Sequence, residues 1–516
     1  MKVIPAALLA AAAAAQCALA LPHVQTISGK SVRDAVRAQS NEEGHLQLPN
    51  PRTNPEYYAR HHEMLAARYN SGPRFERPAW ADRLVQAPQG LTFQSDRFRF
   101  DAEGEEMTLS NNASALFDPA DSGFDYRNDK VRGVNIGNWL LFELWMSPSL
   151  ANTLNSRVEN GNYGDIVDEW TAAQHMSFSS LQSVLTKHYD TWFTEQDMAD
   201  IAAAGLNHVR LVIPYWSFKE AVGPKAPYYT FNQFAKAKQA VQWAKKYNLK
   251  VWIDLHGVPG SQNGYDNSGR SGPIHWANDP DYYRRTKVAL QKLIDEFTQP
   301  AYRGTVTAIE PVNEPAANRN GAVKNLIRQY YPEARNSIRA VGGANTLMAF
   351  HDGFLGPKYW EGFFTPNQAK RTILDVHDYF VYGDAQKNKK DIARIRDVCA
   401  LEGQITRSQR FYPTVVGEMA FNGPSGDRAS DRNLPVGPVK FPSGPNYPYS
   451  VRYMAFMARN SATQRYVFEK GSGWIAWSWR NDGSLDWSYK TGLQYGWNPR
   501  DLNAKPYGND LCNGYR

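Results

Sequence analysis

Residues 231–256, FNQFAKAKQAVQWAKKYNLKVWIDLH, hold one turn of the pattern that decides the fold. Phe231–Tyr247 has the composition and periodicity of a helix, Lys250–Leu255 is a short apolar run of strand type, and His256 stands at its end. Working outward, the same alternation runs from about Asp125 to the C-terminal region. Strand candidates are Val131–Ile136, His208–Ile213, Lys250–Leu255, Val306–Val312, Leu347–His351, Ile373–His377, Pro413–Gly417 and Gly473–Trp479. Between them fall helices over Asp281–Phe297, Leu326–Val341, Asp391–Ala400 and Ser450–Lys470, and one that opens on the capping box Thr194-Glu195-Gln196-Asp197 and stops at Gly205. The rhythm predicts an α/β fold, a (β/α)8 TIM barrel over residues 123–516 with an N-terminal extension. The rival, a doubly wound open sheet, lacks the Gly-rich loop after its first strand that its dinucleotide-binding version needs.

Residues 1–20 carry a basic start at Lys2, an apolar run from Leu8 to Ala15, and Ala18-Leu19-Ala20 before Leu21-Pro22. That layout predicts a signal peptide cut after Ala20, and hence a secreted, extracellular or cell-wall protein with no membrane span. Residues 21–122 are polar and Pro-punctuated, an extension whose role the sequence does not reveal. With Cys17 removed, Cys399 and Cys512 remain; outside the cell they most simply form one disulfide, the alternative being two buried thiols. Asn112-Ala113-Ser114 is a glycosylation sequon. A formal charge of +7 on 516 residues, without Lys/Arg blocks interleaved with aromatics, argues against a nucleic-acid partner. Aromatic residues make up 13% of the chain, which suits stacking on sugar rings or the filling of a large core.

Barrel enzymes build their sites where strands run into their C-terminal loops. Those positions hold Glu143 after strand one, Arg210 in strand two, His256 at the end of strand three and Asn313-Glu314-Pro315 after strand four. They continue with His351-Asp352, with His377 and Tyr379, with Glu418, and with Trp477 and Trp479. Taken singly, Arg210 could be a buried ion pair, the histidines satisfied core groups, and Asn-Glu-Pro a helix start. Together they crowd one end of nearly every strand. Two glutamates from different strands suffice for glycoside hydrolysis, one protonating the leaving oxygen and one attacking the anomeric carbon or activating water. The first role needs a raised pKa and the second an ionised carboxylate. Asn313 could bind the sugar 2-hydroxyl, Arg210 could hold Glu418, and Trp477 or Trp479 could floor the pocket. No metal cluster of plausible spacing is present, so neither metal nor cofactor is expected.

RGVNIGNWL (132–140), VWIDLHGVPGSQNGYDNSG (251–269), IEPVNEP (309–315), DVHDY (375–379), VVGEMA (415–420) and GWIAWSW (473–479) resemble glycoside hydrolase family 5, and within it the fungal exo-β-1,3-glucanase (glucan 1,3-β-glucosidase) branch. The resemblance covers residues 125 to 516. It implies Glu314 as proton donor and Glu418 as nucleophile, with Arg210, His256, Asn313, His377 and Tyr379 around the reacting sugar. Further out it implies Glu143 and Asp266 on hydroxyls of the terminal glucose, Tyr265 at the entrance, Trp477 as platform, and Cys399–Cys512 tethering the tail. The chain departs from the branch at Asn138, Leu144 and Met419, all near the sugar pocket. The expected activity is double-displacement release of glucose from the non-reducing end of β-1,3-glucan by a monomer, with the two carboxyls about 5 Å apart. Rivals are an endo- or β-1,6-glucanase, a glycolipid β-glucosidase, and a non-catalytic β-glucan-binding wall protein.

Overall fold

The structure, a computed structural model, describes residues 123–342, 346–382, 386, 389–423, 427, 437–441 and 447–515. The expected signal peptide (1–20), the extension (21–122) and the sequon at Asn112 lie outside the described residues.

Eight parallel strands close into a barrel in chain order. They are β1 (Val131–Ile136), β2 (His208–Pro214), β3 (Lys250–Gly257), β4 (Val306–Glu310), β5 (Leu347–His351), β6 (Thr372–Asp378), β7 (Thr414–Met419) and β8 (Gly473–Ala476), with β8 pairing back onto β1. Where these bounds differ from the sequence reading, the backbone gives the reason. β4 stops before Pro311, which has no N–H for the ladder, and β7 begins after Pro413 for the same reason. β8 is assigned only to Ala476 because Ser478 N–H turns away to Trp487 O (3.0 Å), while Trp477 N–H still bonds Met419 O of β7 (2.9 Å) and Trp479 N–H bonds Asn135 O of β1 (3.0 Å).

Helices cover the outside. The one at Gln233–Lys246 buries Ala237, Ala240, Val241 and Ala244, an i, i+3, i+4, i+7 seam laid on β2 and β3. Glu195–Ala203 opens on the expected reciprocal cap between Thr194 and Asp197. The helix over Gly321–Gly342 starts earlier than its expected Leu326.

Strand alternation sorts the barrel interior into layers. Near the N-terminal end Val131, Trp252, Ala308, Ala349, Ile373, Val415 and Ile475 pack together, plugged by Tyr126. The Tyr126 hydroxyl is satisfied by Thr307 Oγ1 (2.6 Å), Trp252 Nε1 (2.7 Å) and His208 Nε2 (3.0 Å). Two residues further along the same strands the interior turns polar, at Asp254, Glu310, His351 and Asp375, all fully buried.

Cys399 and Cys512 form a disulfide that closes a loop of sequence separation 113 and ties the C-terminal segment to the helix Asp391–Ala400. A cross-link over so long a loop removes much entropy from the unfolded chain. Cys512→Ser should therefore lower unfolding free energy by about 2–4 kcal/mol, read from denaturant melts without reductant; an unchanged midpoint would mean the tether contributes nothing. Among the described residues no helix is long and apolar enough to cross a membrane.

Candidate active site

The polar layer is organised by Arg210 on β2, which is completely buried. A guanidinium offers five N–H donors, and here four make hydrogen bonds while Asp254 adds an ion pair. Nε reaches Glu310 Oε2 (2.8 Å). Nη1 reaches Asn135 Oδ1 (3.1 Å) and Glu418 Oε1 (2.8 Å), while Nη2 reaches Asn313 Oδ1 (2.7 Å) and Asp254 Oδ2 (3.2 Å). Burial alone would discharge Arg210, but the carboxylates of Asp254, Glu310 and Glu418 outweigh it and hold the charge. Asp254 also orients His256, whose Nδ1 lies 2.6 Å from Asp254 Oδ2 and whose Nε2 faces Asn313 Nδ2 at 3.4 Å.

Glu418 on β7 is held from both sides: Arg210 Nη1 serves Oε1, and the Tyr379 hydroxyl donates to Oε2 at 2.8 Å. Glu314 follows β4. Its Oε1 is 2.8 Å from His377 Nδ1, and its Oε2 accepts from Asn267 Nδ2 at 3.0 Å. The same His377 Nδ1 lies 3.5 Å from Glu418 Oε2. Two carboxylates that approach one ring nitrogen cannot have their nearest oxygens farther apart than those two distances combined. The close approach is compatible with the roughly 5–5.5 Å carboxyl separation of retaining glycosidases.

The backbone at Glu314 is strained, with φ of 42° in a non-glycine residue that precedes a proline. Such a conformation costs on the order of 1–3 kcal/mol and persists only where its surroundings enforce it. Gln262 does so: its Nε2 donates to His256 O (2.7 Å) and Asn313 O (3.0 Å), and its backbone carbonyl accepts the Ala316 N–H (3.1 Å). Asn138, one of the departures, takes φ of 56°, a conformation Asn tolerates where glycine would otherwise be used. Its Oδ1 accepts the Glu143 N–H at 2.8 Å and so sets the position of Glu143.

Electrostatically the site keeps its proton in an unexpected place. Burial acts to raise Glu314, yet the hydrogen bond and charge of His377 outweigh it and leave that carboxyl below its ordinary range. Burial raises Glu418, and the charge of Glu314 adds to this, with His377 and Arg210 opposing. For His377, burial is overcome by Glu418 and Asp375, which hold the imidazole well above its usual value. These directions run against the expectation of a raised proton donor: Glu314 is lowered, and His377, one hydrogen bond away, is raised. On Glu418 each oxygen accepts one hydrogen bond, Oε1 from Arg210 and Oε2 from Tyr379.

Above these groups opens a pocket lined by Glu143, Trp145, Tyr265, Asp266, Asn267, Tyr379, Tyr382, Glu418, Trp477 and Trp487. Trp477 lies nearly parallel to His256 (16° between planes) and over Gly137, where a Cβ would come within 2.8 Å of the indole. Trp145 and Tyr379 flank Trp487 at ring separations of 5.2 and 5.6 Å. Glu143 accepts from Trp145 Nε1 through Oε2 (2.9 Å), while its buried Oε1 has no hydrogen-bond partner among the described residues. Burial and the nearby Asp266 charge raise Glu143 well above the usual carboxyl range, so it can donate or accept toward a hydroxyl. Ligand atoms of Glu314, His351 and His377, and of Glu310, Asp375 and His377, gather within 4.8 Å. A metal would have to displace existing bonds there, since His377 uses both nitrogens and His351 Nδ1 accepts the Gly353 N–H.

Of the residues singled out from sequence, Glu314, Glu418, Arg210, His256, Asn313, His377 and Tyr379 form one network. Glu143, Tyr265, Asp266 and Trp477 line the cavity above it. Trp479 is placed elsewhere and does not line that cavity: it is 2% exposed and spends its indole N–H on Asp197 at 3.0 Å. Sequence reasoning missed Asn267, Trp145, Tyr382 and Trp487 on the cavity wall. It also missed Asn135, Asp254, Glu310 and Asp375 beneath it. The last three were within reach, since each stands two or four positions before a chosen residue, on the same face of a strand or its extension.

The family Cellulase (glycosyl hydrolase family 5) matches residues 168–483. Glucan 1,3-beta-glucosidase of Blumeria graminis is 32% identical over 399 residues, covering 74% of this chain and 89% of that protein. Glucan 1,3-beta-glucosidase 1 of Schizosaccharomyces pombe is 33% identical over 390 residues, covering 74% and 91%. Among solved structures, rutinosidase from Aspergillus niger superposes with a TM-score of 0.60 at 21% identity, covering 73% of this chain and 99% of that one, a likeness of fold. The chain belongs to glycoside hydrolase family 5. It is a glycoside hydrolase built on a (β/α)8 barrel.

Proposed function

We propose that this chain is a secreted, monomeric retaining β-glucosidase that removes glucose from the non-reducing end of β-1,3-glucan. Glu418 attacks the anomeric carbon, and Glu314, taking its proton through His377, protonates the departing oxygen; Glu314 then deprotonates the water that releases the sugar. The observation that carries this reading is the approach of both glutamates to the single atom His377 Nδ1, at 2.8 and 3.5 Å. The remaining parts fit a terminal sugar: Arg210 and Tyr379 keep Glu418 an acceptor, Trp477 offers a flat face, and Glu143 with Asp266 meets outer hydroxyls. Asn313 Nδ2 is directed to the neighbourhood of the 2-hydroxyl. The β-1,3 linkage is the one named for the Blumeria graminis and Schizosaccharomyces pombe relatives. Secretion rests on the layout of residues 1–20 and is compatible with the Cys399–Cys512 disulfide.

Digestion of laminarin and pustulan with product sizing tests it. Glucose should be the sole early product from laminarin, released as the β-anomer by NMR. Oligosaccharides as first products mean an endo mode, and preference for pustulan means a β-1,6-glucanase. Binding to laminarin without hydrolysis reduces the protein to a wall lectin.

A further inference from the structure

One buried carboxyl beneath the glutamates has no part in that reaction. Asp375 lies on β6 two residues before His377, on the same inward face, with no solvent exposure. Its Oδ2 is 3.2 Å from His377 Nε2, and its Oδ1 accepts the Gly417 N–H at 2.8 Å.

The second contact comes from a fault in the sheet. β6 and β7 pair Val376 with Val416 and then His377 with Glu418, so Gly417 is skipped. Such a bulge leaves a backbone group outside the ladder and re-aims the side chains beyond it. Val415 faces the barrel interior, and strict alternation would put Gly417 there next and turn Glu418 outward. The extra residue brings Glu418 inside, level with His377. Asp375 caps the freed amide, and Asn135 Nδ2 bonds the Gly417 carbonyl at 2.9 Å. The fit admits no side chain, because a Cβ on Gly417 would lie 2.1 Å from Asp375 Oδ1.

We propose that Asp375 is a positioning residue of the reaction: one carboxyl pins the bulge that turns Glu418 inward and sets His377 to deliver a proton from Nδ1. This rests on the glycosidase reading above. With Nε2–H directed at Asp375, neutral His377 keeps Nδ1 bare and able to trade a proton with Glu314 Oε1. In the first step the Nδ1 proton passes to Glu314 and on to the leaving oxygen as the anomeric C–O pair departs and Glu418 bonds the carbon. In the second, the water oxygen bonds the anomeric carbon as its proton returns through Glu314 to Nδ1, and the C–O bond to Glu418 breaks with its electron pair going to the carboxylate. Atoms and charge balance over the cycle. The groups facing His377 are Asp378 on its own strand, Glu310 from β4 and Glu314 after it, His351 and Asp352 from β5, and Glu418 from β7, itself paired with Arg210; among the described residues Asp375 is the one hydrogen-bonded to Nε2.

Asp375→Asn tests this. Its carbonyl must face Gly417 N–H, so its NH2 faces Nε2 and forces the opposite tautomer, with the proton locked on Nδ1. The alkaline limb of kcat/KM should move to lower pH by about one unit or more, because an anionic neighbour of His377 is gone. Turnover of an alkyl β-glucoside should fall on the order of 100-fold, and that of 2,4-dinitrophenyl β-glucoside, which needs no acid, by less than about 10-fold. Neither readout depends on how much of the preparation is folded. Asp375→Ser, which keeps an acceptor for Gly417 without the charge, should shift the limb the same way. An unmoved limb in both variants, with both substrates slowed equally, reduces Asp375 to a structural group and overturns the proposal. If the wild-type protein hydrolyses neither substrate, the glycosidase reading fails and this one with it.

Discussion

Glu418→Ala should leave a folded protein with about 10⁻⁵ of the wild-type kcat on aryl β-glucosides, the scale of loss seen when a covalent nucleophile is deleted. The truncation removes the carboxylate that Arg210 Nη1 and the Tyr379 hydroxyl hold toward the anomeric carbon. It also leaves a carboxylate-sized gap on the α face of the sugar. Azide should fill that gap and restore part of the turnover, and the product should be the α-glucosyl azide. Product NMR checks the anomer. A β-azide, or unassisted turnover near wild type, would falsify the assignment of Glu418 as nucleophile.

Glu314→Gln is the second large effect, and its signature is dependence on the leaving group. With a poor leaving group the lost proton transfer should cost about 10²–10⁴-fold. With 2,4-dinitrophenyl β-glucoside the first step survives, because dinitrophenolate departs unprotonated. The second step then has no base, so a burst of dinitrophenolate should precede slow turnover. Azide, attacking the glycosyl-enzyme from the β face, should accelerate that turnover and yield β-glucosyl azide. The alkaline limb that belongs to the Glu314–His377 proton should vanish with the carboxyl, since coupled groups titrate as a unit. Equal loss on both substrates would mean that the substitution damages binding and that the acid lies elsewhere.

Much of this was legible in the chain because barrels carry their chemistry at strand ends. Once β3 is recognised at Lys250–Gly257, His256 must fall at its C-terminal end, and similar reasoning places Asn313, Glu314 and His377. Strand alternation could likewise have flagged Asp254, Glu310 and Asp375. Glu418 is different. Counting by twos from Val415 sends it outward, and only the bulge at Gly417 brings it into the barrel. Trp477 and Trp479 looked equivalent for the related reason that a strand continued through both would put them on one face. The regular strand instead breaks at Ser478, whose N–H turns to Trp487 O, and the Trp479 indole goes to Asp197.

The amino-acid sequence by itself determined the barrel, the strand ends and the identity of the groups gathered there, because these follow from local periodicity and from the pattern of the motifs. Only the tertiary structure decided how those groups share charge. That a cationic His377 holds Glu314 below its ordinary range, that Arg210 reaches Glu310, Asn135, Glu418 and Asn313 at once, and that Asp375 meets both Gly417 and His377 depend on distances between strands remote in sequence. Coulomb and hydrogen-bond energies in a buried site change steeply over an ångström or two, and no spacing along the chain encodes that.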